Sequence, residues 1–111
     1  MEVKELDIKN FKGSEKISIQ TANSTYEFSV TDPETRTGVL TGGALGDSTA
    51  IAVLLGAAHG DKNSESLRLS IGTRAIFLCS SDTGSRRLVT SPVRVLLYTG
   101  GGQSATRPAI V

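Results

Sequence analysis

Cysteine, histidine and aromatic residues are scarce in this 111-residue sequence. It has one cysteine, Cys79, one histidine, His59, and no tryptophan. A single cysteine cannot form an internal disulfide, and one cysteine with one histidine cannot supply the four ligands of a structural zinc site. Disulfide scaffolds and zinc fingers are therefore excluded, and we expect neither a metal site nor a cofactor.

Long apolar runs are also missing. The longest, at 50–58, is about half of the roughly 20 residues that a membrane helix requires. The first residues alternate charged with apolar side chains and contain no run of signal-peptide length. We therefore expect no membrane association and a cytoplasmic location.

The charges nearly cancel, but they are unevenly distributed. The formal net charge is +1, which gives no global attraction to nucleic acid or to an anionic membrane. Residues 1–65 hold ten acidic and six basic residues, whereas residues 66–111 hold one acidic residue and six basic ones, all arginine. Arginine grips phosphate and carboxylate groups bidentately, so the arginine-rich part is the most promising binding surface.

Glycine is frequent, with 12 residues, and short runs of alternating apolar and polar residues lie between the glycine-rich turns. In the run 25–31, for example, Tyr26, Phe28 and Val30 share one face, which predicts a strand with one buried side. With the run 16–20 it predicts a hairpin that turns at 21–24. Further strands are predicted at 37–41, 66–71, 74–80, 86–90 and 92–98. In the last of these, Val93, Val95 and Leu97 share a face opposite to Arg94, Leu96 and Tyr98.

The apolar stretch 45–60 has no diagnostic period and admits two interpretations. A helix over 48–59 would begin with Asp47 or Ser48 as N-cap and end before Gly60. A strand would pair with 38–43, and Gly56 would cost a helix interior about 1 kcal/mol. The surrounding β pattern favours the strand, and a helix here would make the fold α+β.

These segments predict a single small all-β domain of about seven or eight antiparallel strands, mostly in a meander, forming a partly open barrel or a sandwich. We assign 1–12 to an N-terminal arm or edge strand, 13–99 to the β domain and 100–111 to a flexible, glycine-rich tail. The valine- and leucine-rich strands at 51–55 and 93–97 would invite pairing with a second copy, so a homo-oligomer is expected.

Catalysis has little support in the sequence. A serine hydrolase would need His59 as its base, oriented by Asp47, Asp61 or Asp82, and no nucleophile elbow is present. Cys79 lies in an apolar strand and is expected in the core. We therefore expect no enzyme activity of the chain by itself, and a non-autonomous enzyme subunit is the remotest alternative.

The leading hypothesis is a non-catalytic binding or scaffolding module whose partner is another protein or a second copy of the chain. Nucleic-acid binding through an arginine-bearing sheet surface is the alternative. If strands 66–71 and 92–98 pair, Arg68 and Arg94 share a face with Tyr98 and form a small stacking platform. The candidate binding residues are Arg68, Arg74, Arg86, Arg87, Arg94 and Tyr98.

Overall fold

The computed structural model describes residues 1–59, 66–81 and 84–100. This part of the chain forms strands and two short 3₁₀ turns, Ile8–Asn10 and Gly43–Leu45. Neither turn is long enough to cross a membrane. The strands are β1 (Glu2–Val3), β2 (Glu5–Asp7), β3 (Lys16–Gln20), β4 (Thr25–Asp32), β5 (Thr37–Gly42), β6 (Thr49–His59), β7 (Arg68–Ser70), β8 (Thr73–Ser81), β9 (Gly84–Val89) and β10 (Val95–Thr99).

Eight of these strands form one antiparallel sheet in the order β1-β10-β3-β4-β5-β6-β8-β9, and β2 pairs with β7 in a second, two-stranded sheet. The predicted all-β class and antiparallel arrangement are confirmed. The large sheet is open, and its two edges are β1 and β9. The strands at 51–55 and 93–97 are not edges: β6 lies between β5 and β8, and β10 lies between β1 and β3.

Within the ambiguous stretch, Thr49–His59 form strand β6, so the strand interpretation is confirmed and the helix is wrong. It pairs with β5 along its first half and with β8 along most of its length. The pairing register shifts between Leu54 and Gly56, and Gly56 adopts a φ of 159°. Pairing with β5 and β8 supplies backbone hydrogen-bond partners to this apolar stretch without a helix.

The core lies on one face of the large sheet, which we call the core face; the opposite side is the outer face. At its centre the rings of Phe28 on β4 and Phe77 on β8 are 5.2 Å apart between centroids, in a tilted arrangement. The predicted inward alternation of Tyr26, Phe28 and Val30 is confirmed, since all three are buried. Cys79 is also buried, as expected, and belongs to this cluster.

In the last strand, the face that carries Leu96 and Tyr98 is the one that points to the core. Leu96 pairs with Ile19 and Tyr98 pairs with Ile17, so these residues of β10 face the core, while Val95 and Leu97 are half-buried on the other side. Val93 is buried, but it precedes the strand and donates its N–H to the carbonyl of Thr73 instead. The chain therefore changes partner strand between Val93 and Val95, which an alternating pattern cannot reveal.

The strand predicted at 66–71 is shorter than expected. Only Leu69 of its three aliphatic residues is buried, and it pairs with Leu6 of β2. Leu67 and Ile71 are exposed, because they flank a strand of three residues rather than lying within one of six.

Candidate functional site

Three of the predicted binding residues lie apart from one another. Arg68 on β7 forms an exposed ion pair with Glu5 of β2, with 2.8 Å between Nη1 and Oε2. Arg94 precedes β10, and Tyr98 of β10 packs against the core. Since β7 pairs with β2 and β10 pairs with β1 and β3, strands 66–71 and 92–98 do not pair. The stacking platform expected from that pairing does not form.

The other three predicted arginines lie on the hairpin of β8 and β9. Arg86 is paired across the strands with Cys79 and so projects on the core face, whereas Arg87 is paired with Leu78 and projects on the outer face. Arg74 lies on β8 and is exposed. Arg86 and Arg87 are therefore the two candidates that the fold places side by side, on opposite faces of one strand. The remaining C-terminal arginine, Arg107, lies outside the described residues.

Strand β9 is one of the two edges of the large sheet. Its one strand partner among the described residues is β8, and five of its six residues are exposed. The N–H of Thr90 donates to the carbonyl of Ala75 in the same pairing register, which makes Thr90 and Ala75 a hydrogen-bonded pair. Hydrogen-bonded pairs alternate with non-hydrogen-bonded ones along an antiparallel ladder. Ser85 and Val89 lie an odd number of residues from Thr90, so they belong to non-hydrogen-bonded pairs and their backbone N–H and C=O groups point away from β8. Gly84–Val89 is called the β9 edge below.

A small pocket of about 190 Å³ lies beside this edge. Its walls are Cys79 of β8, three residues of β9 and two residues of the 3₁₀ turn Gly43–Leu45. Pockets for small molecules usually hold roughly 300–1,000 Å³, so this one has room for one or two side chains rather than for a ligand of that size. The lining residues are Ala44, Leu45, Cys79, Arg86, Arg87 and Leu88.

Cys79 is poorly suited to nucleophilic chemistry in this pocket. Burial raises the pKa of its thiol, and the nearby positive charge of Arg86 opposes that rise only in part. The thiolate is the reactive form, so a raised pKa keeps the group protonated and unreactive at neutral pH. The pocket is therefore better suited to contact than to catalysis.

A wider depression, with a volume of about 640 Å³, is lined by charges of both signs. Two of its charged side chains have partners within the chain: Asp32 accepts the N–H of Glu34 at 3.1 Å, and Arg36 donates to the carbonyl of Leu54 at 2.9 Å. Its other lining residues are Lys9, Phe11 and Pro33. With no convergent set of one charge, it does not define a ligand class.

The residues that a hydrolase would need are not brought together in the described part of the chain. His59 ends β6, whereas Asp47 lies before its start, so the length of an 11-residue strand separates them. Asp61 and Asp82 lie outside the described residues. Residues 1–59, 66–81 and 84–100 also contain no cluster of histidine, cysteine, aspartate or glutamate that could hold a metal ion.

The residues that sequence reasoning missed are those beside the arginines: Ser85, Leu88 and Val89 on β9, and Leu45 above the pocket. The sequence pattern that could have identified an edge strand here was the polar character of 86–90. A strand with no consistently apolar face cannot be buried on either side of a sheet, and such strands are typical of edges.

Comparison of the chain with protein-family models, with curated proteins and with solved structures found no match. Its function is therefore inferred from its own geometry.

Proposed function

We propose that the chain is a non-catalytic protein-binding module, and that it holds an extended segment of a partner as an added strand along the β9 edge. The observation that supports the proposal is the outward direction of the Ser85 and Val89 backbone groups on an exposed strand. Main-chain hydrogen bonds to such an edge supply affinity for an extended peptide, and alternate side chains supply specificity.

The surroundings of the edge also favour a polypeptide ligand. The neighbouring pocket of about 190 Å³ has the size of a side chain and is partly apolar, with Leu45 and Leu88 in its walls. A nucleic-acid backbone would instead require several cations on one continuous surface. Arg86 and Arg87 project on opposite faces, and Arg68 is engaged with Glu5.

A different polypeptide is favoured over a second copy of the chain. In an antiparallel pairing of two β9 strands, the register with full overlap of residues 85–89 places Arg87 opposite the same residue of the second copy. A shift by two residues in one direction places Arg86 opposite itself, and the same shift in the other direction leaves only residues 87–89 of the two strands overlapping. Like charges directly opposite one another destabilise a strand pair, so self-pairing is disfavoured.

The test uses a proline that blocks the edge without disturbing the sheet. Because the N–H of Val89 points away from β8, Val89→Pro removes no hydrogen bond of the β8–β9 ladder but prevents pairing with an added strand. Val89→Thr is the matched control, since threonine is also β-branched and retains the N–H. Short random peptides displayed on phage are selected on the wild-type protein, and the affinities of the selected peptides are measured by fluorescence anisotropy.

We expect the selected peptides to bind the wild type and Val89→Thr alike, and to lose at least tenfold in affinity for Val89→Pro. Equal affinity for all three proteins would overturn the proposal. So would tight, salt-sensitive binding of random oligonucleotides in the absence of peptide binding, which would favour the nucleic-acid alternative. A dimer in sedimentation equilibrium that Val89→Pro dissociates would instead identify a second copy as the partner.

A further inference from the structure

We infer the chemical pattern of the segment that binds the β9 edge: two adjacent apolar residues followed, toward its C-terminus, by two adjacent acidic residues. This inference rests on the proposed function and extends it from the site to the partner. It follows from the order of side chains along β9, where Arg86 and Arg87 precede Leu88 and Val89.

The acidic positions follow from the two arginines. A strand added beside β9 lies about 4.8 Å away, and its side chains directly opposite Arg86 and Arg87 have their Cβ atoms roughly 5 Å from those of the arginines. Arg86 projects on the core face and Arg87 on the outer face, so adjacent residues of the added strand, which also alternate faces, meet one arginine each. Carboxylates at both positions make an ion pair on each side of the sheet.

The apolar positions follow from Leu88 and Val89. Leu88 lies on the core face, packs in part against the core and lines the pocket, so an apolar residue opposite it extends the core toward the partner. Val89 is 49% exposed on the outer face, and an apolar residue opposite it covers this side chain. A charged residue at either position would be placed against aliphatic surface with no partner of opposite sign.

The direction of the segment follows from the sheet itself. Every strand pair described in the large sheet is antiparallel, and antiparallel pairs are slightly more stable per residue than parallel ones. An antiparallel segment meets Val89 first and Arg86 last, which gives the order apolar, apolar, acidic, acidic. A parallel segment would show the reverse order.

The experiment compares three short blocked peptides with the same threonine and serine flanks. The first has two valines followed by two glutamates, the second has two glutamates followed by two valines, and the third has two valines followed by two lysines. Each is titrated by fluorescence anisotropy into the wild type, Arg86→Glu/Arg87→Glu and Val89→Pro. Lys4→Glu/Lys16→Glu is the matched control, because it makes the same change in net charge at exposed positions outside β8 and β9.

We expect the wild type and Lys4→Glu/Lys16→Glu to bind the first peptide more tightly than the other two. For Arg86→Glu/Arg87→Glu its affinity should fall about tenfold, because two exposed ion pairs become two repulsive pairs. The valine-lysine peptide should show the opposite preference. Tighter binding of the second peptide would overturn the inferred direction. Equal binding of all three peptides, abolished in each case by Val89→Pro, would overturn the inferred pattern and leave edge capture standing. Binding that survives Val89→Pro would overturn both.

Discussion

The contact between Gly43 and Tyr26 gives a sharp test of the structure around the binding pocket. Gly43 opens the 3₁₀ turn above the pocket with a φ of 50°, and a Cβ built on it would overlap the buried Tyr26 ring. The hydroxyl of that ring accepts the N–H of Ala44 at 3.1 Å, so the ring also holds the turn in place. Gly46, in the same connection, has a φ of 62° and no atom within 4 Å of such a Cβ.

The two glycines therefore separate backbone strain from steric overlap. Both alanine substitutions place a Cβ on a backbone of positive φ that favours glycine, which costs about 1–3 kcal/mol at each position. Gly43→Ala must in addition displace the Tyr26 ring. Overpacking of this kind in a core costs about 2 kcal/mol. We expect the free energy of unfolding to fall by about 2 kcal/mol more for Gly43→Ala than for Gly46→Ala, with melting temperatures about 10 °C apart.

Urea denaturation followed by circular dichroism measures both costs. In a Tyr26→Leu background, where the ring is absent, the cost of Gly43→Ala should fall by about 2 kcal/mol, whereas the cost of Gly46→Ala should not change. No coupling between Gly43→Ala and Tyr26→Leu would refute the described position of the ring beneath the turn.

Three further predictions concern titratable groups in the core or packed against it. Cys79 should react with a disulfide reagent more slowly at neutral pH than an unfolded cysteine, and Arg86→Glu should slow it further, because the charge that opposes the burial-raised pKa is reversed. The pKa of Tyr98 is raised by burial and by the negative charge of Glu15. The contribution of Tyr98 to stability is therefore complete below its unfolded pKa of about 10 and is lost as the pH rises through the raised pKa. Tyr98→Phe in a Cys79→Ala background should reduce the loss of unfolding free energy at alkaline pH, measured by urea denaturation. Glu15 is buried and accepts the backbone N–H groups of Lys12 and Gly13, so Glu15→Gln, which turns one acceptor into a donor, should lower the free energy of unfolding by about 2 kcal/mol in urea denaturation. No effect of Glu15→Gln would contradict the described turn.

The sequence predicts the strands best where one face of a strand is buried along its whole length. The alternation of Tyr26, Phe28 and Val30 identifies β4 and its inward face, because its neighbours on both sides keep one register across that stretch. The alternation fails at Val93, Val95 and Leu97, where the chain passes from the β8 side to β3 and the buried face changes. Periodicity reports burial, but it carries no information about which strand supplies it.

The surroundings of the candidate site depend on the order of strands in the sheet. The sequence therefore identifies Arg86 and Arg87 as candidates but not the strands and residues that lie beside them. The arginine content is visible in the composition, and the polar pattern of 86–90 is typical of an edge. That Arg68 lies on a different sheet, paired with Glu5, follows from contacts between residues 63 positions apart. Such long-range pairings are decided by the packing of the whole domain rather than by any local pattern.

Two roles of Arg86 and Arg87 can be distinguished by their chemistry. Charged side chains on an edge strand also discourage aggregation through strand pairing, and for that purpose any cation would serve. Recognition of carboxylates benefits from the planar guanidinium, which offers two parallel donors, whereas the lysine ammonium acts as a point charge. Arg86→Lys/Arg87→Lys should therefore keep the chain free of self-association and still weaken its binding to an acidic peptide. If that variant binds the peptide as tightly as the wild type, general charge complementarity is enough to explain the edge, and the arginine fork is not what selects the partner.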